Sequence, residues 1–469
     1  MTSRLLTATS LLLVAAAPVG AGDKAVPLYT TAVAPILFDK CVTCHRPGEA
    51  APFSLTTYAD VKKRGKLIAE VTKSHQMPPW KAGKGDFALG GERHLSDAQV
   101  DVIAKWVEAG MPEGPKERLP ALPAFADGWR LGKPDLVVKM PKGFKVAAEG
   151  RDIYRNFAIP LGLTEDKWVK AIDFRPSATS VVHHTLFFLD TTGTAYKKEA
   201  DSGEVGFKSM GRGGALSNLF GGLSGDGGKL DGSKLSGGMR SLGGWALGAQ
   251  ARSLPDGLAY QVTKGSDLIL STHFHPSGKA EEEQSVVALY FTDTPPKQRF
   301  TGIQLPFGFG IATGLNIAPG DKNYTIEDSF TLPVDAKAFG ISAHAHYLAK
   351  DFTVTATFPD GAVKTLLTIP DWDFAWQEQY RFADYVSLPK GTKLHAKITY
   401  DNSADNPRNP AHPPKRVRWG RESTDEMGSI TLQVVAAQEG EFTKLQEGYY
   451  QHIRDDLIKR FPKLKKGTE

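Results

Sequence analysis

The spacing of apolar residues changes partway along the chain. Between residues 29 and 114, apolar side chains recur every three or four positions, as in Val100, Ile103 and Val107, which predicts helices. Beyond residue 130, short runs rich in Val, Ile, Phe, Thr and Tyr are separated by Gly, Pro, Asp and Asn, which predicts strands. The clearest runs are residues 183–189, 268–274, 286–292, 352–358 and 430–435. The chain is therefore expected to be mainly β, with a small helical domain before the strands.

Local signals mark the ends of the last predicted helix. Ser96 and Gln99 have the spacing of a capping box, which satisfies backbone N–H groups at a helix start. Gly110 followed by Pro112 is expected to stop the same helix. The proline-containing stretch 116–130 is then expected to be a linker.

These patterns predict an all-α domain followed by two tandem antiparallel β-sandwiches of the jelly-roll type. The expected units are a signal peptide at 1–21, the helical domain at 22–115, the linker at 116–130, the first sandwich at 131–300, the second at 301–450 and a C-terminal tail at 451–469. Fifteen of the 42 residues from 203 to 244 are Gly, so a long loop is expected inside the first sandwich.

The N-terminal residues predict export. Arg4 precedes an apolar run from Leu5 to Ala17, and small residues at Val19 and Ala21 suit cleavage after Ala21. An uncleaved anchor is the alternative, but the run is shorter than the roughly 20 residues that span a membrane. Later apolar stretches are shorter still, so we expect a periplasmic or secreted protein without a membrane span.

Composition narrows the classes of function. The 469 residues include 57 basic and 52 acidic ones, and this dispersed excess of +5 argues against a nucleic-acid partner. The two cysteines are Cys41 and Cys44. They leave no thiols for a disulfide framework, nor for the thiolate of a blue-copper centre elsewhere in the chain.

The two cysteines lie in a haem-attachment motif. The sequence Cys41-Val42-Thr43-Cys44-His45 has the two thiols that bond to haem vinyl groups and the His that ligates the iron. The alternative is a redox-active cysteine pair followed by an incidental His. The helical domain is therefore expected to be cytochrome c-like, with one covalently bound c-type haem.

The sixth haem ligand is expected some tens of residues after the motif. Met77 is the preferred candidate, because the prolines that follow it would hold an extended loop rigidly. His75 and Met111 are the competitors, and Met111 is expected to pack back on the helix that it follows. A haem with His and Met ligands suits electron transfer.

Six of the twelve histidines form three clusters, as imidazole metal sites on strands do. The clusters are His183-His184, His273-Phe274-His275 and His344-Ala345-His346. His344 and His346 share one face of a regular strand and can reach one ion. The adjacent pair His183 and His184 can share an ion only if the backbone there is irregular, for example at a bulge or strand end.

Four motifs in series carry a resemblance to a known family. They are Ser180–Phe188 around the first His pair, Trp245–Phe274 up to the next His, Ala343–Lys350 around the HxH pair, and Ser423–Met427. In this order they resemble the copper type II, ascorbate-dependent monooxygenases, which include peptidylglycine alpha-hydroxylating monooxygenase and dopamine beta-monooxygenase. The resemblance covers about residues 135–437.

The resemblance implies two copper ions. An electron-relay copper is expected on His183, His184 and His273, and the oxygen-binding, catalytic copper on His344, His346 and Met427. His275 is not required by the family pattern and is expected to have a supporting role.

The implied activity is hydroxylation of a C–H bond of a small organic substrate with O2. Electrons from a redox protein or an ascorbate-like reductant would pass from the haem to the first copper and on to the second.

Departures from the family limit the substrate class. Where the peptidylglycine enzyme holds a peptide carboxylate with Arg, Asn and Tyr, this chain has Ser342, Ser429 and Thr431. These residues offer no cation, so a peptide C-terminus is not the expected substrate.

Two rival functions remain open. The first is a non-catalytic copper-binding or electron-transfer protein. The second treats the HxH pairs as separate cupin-like sites, such as His273 and His275 with Glu281. It leaves His183, His184 and Met427 without a role.

Overall fold

The computed structural model describes residues 26–49, 51–125, 128–208, 239–246, 249 and 251–462. The predicted signal peptide lies outside these ranges. Within them, no helix combines the length and apolar character that crossing a membrane requires.

The N-terminal region is built from helices around a small apolar core. A π-helical turn precedes three helices: Tyr29–Val33, then α1 (Ala34–Lys40), α2 (Tyr58–Lys73) and α3 (Asp97–Glu108). The predicted capping box of α3 is confirmed, since the Ser96 hydroxyl accepts from Gln99 N and the Gln99 side chain accepts from Ser96 N. One element departs from a purely helical domain. The two-residue strand β1 (Leu89–Gly90) belongs to a sheet of the C-terminal half.

Antiparallel strands form most of the remaining chain. Those of the first half are β2 (Leu136–Lys139), β3 (Phe144–Val146), β4 (Ile153–Pro160), β5 (Lys167–Arg175), β6 (Val182–Asp190), β7 (Met239–Ala246), β8 (Tyr260–Val262), β9 (Asp267–Phe274), β10 (Glu281–Glu283) and β11 (Val286–Thr292). Those of the second half are β12 (Phe300–Leu305), β13 (Asn316–Ile317), β14 (Tyr324–Thr331), β15 (Ala336–Ala345), β16 (Ala349–Thr357), β17 (Val363–Ile369), β18 (Gln379–Leu388), β19 (Lys393–Tyr400), β20 (Val417–Arg418) and β21 (Gly428–Ala436). All five predicted strand segments coincide with these strands.

Most of the strands form two pairs of sheets, while β3 with β10 and β13 with β20 form two-stranded sheets. The first sheet pair has the strand orders β2-β11-β5-β8 and β4-β9-β6-β7, and one apolar core contains side chains from both sheets. The second sheet pair has the orders β14-β19-β16-β17 and β1-β18-β15-β21-β12, again around one core. Strand β16 shows how alternating residues build this core. Phe352, Val354 and Ala356 are buried, while the threonines between them point away from the core.

The predicted Gly-rich loop ends before residue 244, where the sequence placed its end. Residues 239–246 form β7, which pairs with β6. Gly244 fits there because a Cβ would lie 2.8 Å from the carbonyl oxygen of Thr185. Residues 209–238 of the loop lie outside the described ranges.

The predicted C-terminal tail at 451–469 is helical as far as Arg460, and residues 463–469 lie outside the described ranges. A helix, α4 (Thr194–Ser202), lies in the first half, and a second, α5 (Phe442–Arg460), covers the start of the predicted tail. Ile453 and Leu457 of α5 are buried in the core of the second sheet pair. The charged residues of this segment lie on the outer face of an amphipathic helix. In the sequence, the run of Lys and Arg hid the helical spacing of the apolar residues.

Candidate metal centre

The first predicted ligand set lies on two adjacent strands. His183 and His184 are at the start of β6, and His273 is near the end of the neighbouring β9. The pairing of these strands shifts between Val182 and His184, which is a bulge-like irregularity. The structure therefore meets the condition under which adjacent histidines could share one ion.

The three imidazoles converge with ligand-like spacing. His183 Nδ1 and His184 Nδ1 lie 3.0 Å apart, and one ligand atom from each of the three histidines fits within 4.8 Å of the others. Two nitrogens that bind a common ion at ~2 Å are separated by about the distance between His183 Nδ1 and His184 Nδ1. His273 Nδ1 is buried and has no hydrogen-bond partner within the described part of the chain. This unpaired nitrogen fits a metal ligand.

A carboxylate orients His273. Its Nε2 donates to Asp152 at 2.9 Å, and Tyr154 stacks on the ring at 4.3 Å between centroids. This bond fixes the tautomer in which Nδ1 keeps its lone pair, as in carboxylate–histidine–metal arrangements. His275, which is exposed, donates to the other oxygen of Asp152 at 2.8 Å.

The second predicted set meets where β15 ends and β21 begins. His344 lies on β15, His346 directly follows the strand, and Met427 directly precedes β21. His344 Nε2 is 3.2 Å from the sulfur of Met427. The other nitrogen of His344 donates to Gln377 Oε1 at 2.5 Å. His346 Nδ1 donates to the carbonyl oxygen of Asp425 at 3.2 Å, which leaves its Nε2 as the ligand nitrogen.

A buried carboxyl group holds these two segments together. Glu426 accepts from the backbone N–H of His346 at 2.6 Å, of Leu348 at 2.9 Å and of Met427 at 2.9 Å. Burial raises the pKa of Glu426 to about 8, although these bonds oppose the shift. By accepting these bonds, the Glu426 carboxyl group fixes the positions of His346 and Met427 relative to each other.

Burial keeps the imidazoles of His183, His184, His344 and His346 neutral. It lowers the pKa of His183 and His346 to about 3 and that of His344 to about 4, with neighbouring imidazoles adding to the effect. The pKa of His184 is also well below its ordinary value, for the same reasons. Neutral imidazole is the form that binds metals, so the site is prepared for cations near pH 7.

The two sets form one cluster. The rings of His184 and His344 are 5.9 Å apart. Phe374 stacks on His183 at 4.5 Å and lies 5.7 Å from His346, so one ring touches both sets. The sheet pairs are also joined beside the cluster, because the Ser423 hydroxyl donates to Asp152.

The predicted haem-attachment residues lie in the turn after α1. Cys41 and Cys44 are free thiols, and burial raises the pKa of Cys41 to about 12 and also that of Cys44. His45 Nδ1 donates to the carbonyl oxygen of Phe53 at 3.1 Å. Its Nε2 is then the nitrogen with a free lone pair, as an iron ligand requires. Arg46, the next residue, pairs with Glu49 at 2.6 Å.

The three candidates for the sixth haem ligand differ in position. Met111 packs between α2 and α3 against Gly65 and Trp106, so its predicted core position is confirmed. His75 is exposed. Met77 is partly buried just after α2, and its N–H bonds to Val71 at 3.0 Å. The role of Met77 as a ligand stays a prediction.

The helical region docks on the second sheet pair next to the second ligand set. Arg93 forms an ion pair with Glu378, at 3.2 Å for Nη1 to Oε1. Trp80 packs edge-on against Tyr380 at 5.1 Å and is buried. On the sheet side, Glu378 immediately follows Gln377, which accepts a hydrogen bond from His344. Tyr380 comes two residues later.

Sequence reasoning missed four residues that shape the cluster. They are Asp152, Phe374, Gln377 and Glu426. Only Glu426 had a signal, since it lies within the Ser423–Met427 motif. The other three come from segments far from the ligands in sequence, and no motif marks them.

A separate group of possible cation ligands lies at the C-terminal helix. Asp328 of β14 and His452 and Asp456 of α5 place one ligand atom each within 4.8 Å of the others. His452 Nε2 is 3.1 Å from Asp328 and 3.4 Å from Asp456, which fits an ion-paired imidazolium without any metal.

Comparison with known proteins does not place the chain in a family. No family model and no curated protein matches it. Among solved structures, PNGF-II is similar at 8% identity and a TM-score of 0.25, over 64% of this chain and 65% of that one, just under two thirds. The major capsid protein P2 of bacteriophage PM2 is similar at 13% identity and a TM-score of 0.25, over 64% and 96%. Likenesses at this level say nothing about function.

Proposed function

We propose that the protein is an exported, haem- and copper-dependent monooxygenase that hydroxylates a C–H bond of a small organic substrate with O2. In this proposal the first and second sheet pairs are two copper-binding β-sandwiches, and the helical region is a cytochrome c-like domain. Export rests on the N-terminal sequence alone.

The supporting observation is the convergence of all six proposed copper ligands. They come from distant parts of the sequence, yet they form two adjacent sets, and burial lowers the pKa of His183 in one set and of His344 in the other. The buried, unpaired Nδ1 of His273 supports a cation in the first set. Two imidazoles and a thioether in the second set suit copper in both of its oxidation states.

Copper held by these residues would supply the one-electron and O2 chemistry of the reaction. The protein's own residues orient the ligands: Asp152 fixes His273, Gln377 fixes His344, and Glu426 fixes the backbone around His346 and Met427. Phe374 packs against both sets and is itself buried.

The turn after α1 supports the haem proposal. Cys41 and Cys44 would form the thioether bonds, and His45 has the tautomer of an axial ligand. Arg46 Nε and Arg130 Nη1 are buried without hydrogen-bond partners among the described residues, and both side chains pair with Glu49. These cations suit the carboxylates of a haem.

Metal analysis tests the proposal first. The copper-loaded, exported protein should contain two coppers per haem, and Met427→Ile should reduce the ratio toward one. One copper or none in the parent protein would overturn the assignment of both ligand sets.

Oxygen uptake then separates an enzyme from a carrier. A monooxygenase consumes O2 in a way that depends on an added organic substrate, so a panel of small C–H substrates should include one that stimulates uptake. Two bound coppers without any substrate-dependent uptake would favour the copper-carrier function instead.

A further inference from the structure

We propose that Phe309 is a specificity-determining residue beside the second ligand set, and that its ring selects an uncharged substrate that presents an apolar hydrocarbon group. This inference rests on the proposed function and deepens it, because it names the substrate class of the same site. It starts from a backbone conformation that is unusual for a phenylalanine.

The turn Phe307–Gly310, between β12 and β13, is left-handed at three consecutive residues. The φ angles are 60° at Gly308, 55° at Phe309 and 83° at Gly310. Glycine adopts such angles freely, whereas a bulky side chain at these angles crowds its own backbone. The two glycines therefore form the turn at little cost, and the phenylalanine between them is strained.

Hydrogen bonds fix this turn on both sides of the strained residue. The N–H of Gly308 donates to Gln304 Oε1 at 2.8 Å, and Trp419 Nε1 donates to the carbonyl oxygen of Phe309 at 3.0 Å. The amide nitrogen of Gln304 donates in turn to the hydroxyl of Ser429 at 3.2 Å. The surrounding structure thus holds Phe309 in a conformation that it would not adopt alone.

The turn lies against the segment that carries the Met ligand. A Cβ on Gly310 would be 3.1 Å from the carbonyl oxygen of Gly428, which directly follows Met427. On the other side, the Phe309 ring lies edge-on to the His344 ring at 5.1 Å between centroids. Phe309 is therefore held next to two of the three proposed ligands of the second set.

Core packing does not account for this side chain. The neighbouring Phe307 and Ile311 pack against the core of the second sheet pair. Phe309 is only partly buried, and among the described residues it belongs to none of the apolar cores. Strained residues that are held firmly without contributing to a core are typical of functional sites.

The surroundings of His344 favour an uncharged substrate group. The His344 ring is flanked by the thioether of Met427 and the ring of Phe309, and both side chains are apolar. The nearby hydroxyl of Ser429 is buried and already bonded to Gln304. A charged group here would lose its hydration without gaining a partner, whereas each methylene group covered by the ring raises affinity by about fourfold.

Unfolding by denaturant tests whether Phe309 is kept for function or for stability. Phe309→Gly removes the strain, so its unfolding midpoint should equal or exceed that of the parent protein. Phe307→Gly is the matched control, the same change two residues away, and it should lower the midpoint because the Phe307 ring packs on the core. A lower midpoint in Phe309→Gly as well would make Phe309 a structural residue and overturn the proposal.

Probe binding to the full-length, copper-loaded protein tests the substrate class. Butan-1-ol and butanoate have the same carbon chain and differ in charge, and bound Cu(II) broadens the proton resonances of a molecule that lies near it. Titration in the parent protein should show tighter binding of butan-1-ol than of butanoate. Butanoate binding equal to or tighter than that of butan-1-ol would overturn the proposed class.

The same titration in two variants tests the role of the ring. Phe309→Gly should weaken butan-1-ol binding by about 4- to 15-fold, the loss expected when one or two methylene groups are no longer covered. Phe309→Leu keeps an apolar side chain and should stay within about fourfold of the parent protein. Equal binding by the parent protein and Phe309→Gly would overturn the role of Phe309.

Copper content, measured before each titration, separates this inference from the proposed function. A parent protein without two coppers contradicts the proposed function itself. Phe309→Gly keeps all six proposed ligands and should bind as much copper as the parent protein. A loss of copper in this variant would mean that the ring positions His344 and does not select the substrate.

Discussion

Single side chains around the metal centre determine which ligand atoms are available. The histidines proposed as ligands could be found in the sequence, because clustered imidazoles have a recognisable spacing. The partners that select the ligand nitrogen were not predictable. Asp152 lies 121 residues from His273, and Gln377 lies 33 residues from His344. Such pairs depend on which loops the fold brings together, and a single sequence carries no signal for this.

Asp152→Asn should weaken metal binding at the first ligand set. Burial opposes ionisation of Asp152, but hydrogen bonds from His273, Ser423 and His275 outweigh it and hold its pKa well below the usual range. An amide has only one acceptor oxygen and no charge, so it holds His273 more weakly than a carboxylate does, and we expect copper affinity there to fall roughly 10- to 100-fold. Isothermal titration with Cu(II) measures the loss.

The control for Asp152→Asn is Asp293→Asn, which changes the same chemical group at an exposed position. It should leave both copper sites unchanged. Equal affinities in the two variants would mean that Asp152 does not orient His273 for a metal.

Phe374→Ala should destabilise the protein by about 3 to 5 kcal/mol, the usual cost of removing a buried Phe ring. The Phe374 ring is 5% exposed and contacts His183, His273 and His346. Denaturant unfolding measures the loss. Phe358→Ala, at a partly buried position on the edge of the second core, should cost less. A smaller loss for Phe374 than for Phe358 would contradict this central packing role.

At the level of elements, strands were more predictable than their ends and partners. Alternation and β-branched residues predicted the core strands, because burial of one face selects apolar residues at every second position. The need for an irregular backbone at His183 and His184 was also predictable, and the register shift of β6 provides it. The helix α5 was not foreseen. Its buried positions, such as Ile453 and Leu457, are separated by charged residues that favoured a solvated tail.

The docking of α5 should depend on pH through His452. Burial alone would lower its pKa, but Asp328 and Asp456 outweigh burial and raise the pKa of His452 above the ordinary 6.5. A group whose folded pKa is raised stabilises the fold fully below the unfolded value of about 6.5. This stabilisation is lost as the pH rises through the folded pKa of His452. The free energy gap between the parent protein and His452→Gln should therefore shrink as the pH rises.

Denaturant unfolding between about pH 6 and pH 9 checks this dependence. A chelator in the buffer prevents a metal ion bound to Asp328, His452 and Asp456 from contributing. His412→Gln, at an exposed position, is the control and should match the parent protein at each pH. A gap for His452→Gln that does not change with pH would rule out the ion-paired imidazolium.

The whole molecule brings its three parts together at the ligand cluster. The first and second sheet pairs meet through Ser423 and Asp152 and through Gln379 and Gly244. The helical region meets the second sheet pair through Arg93 and Glu378. Domain contacts of this kind could not be predicted, because they involve single residues that are far apart in the sequence. They decide whether two metal ions would act as one centre or as two.

Two Cu(II) ions in this arrangement should interact magnetically. The rings of His184 and His344 are 5.9 Å apart, and Phe374 touches rings of both sets. Metal ions bound to such neighbouring ligands are close enough for dipolar coupling to broaden their paramagnetic resonance spectra. The fully loaded, oxidised protein should thus give a broadened copper signal, whereas His183→Ala and Met427→Ile, with one copper each, should give narrow ones. A spectrum of the parent protein equal to the sum of the two variant spectra would mean that the sheet pairs separate in solution and that the two ions act independently.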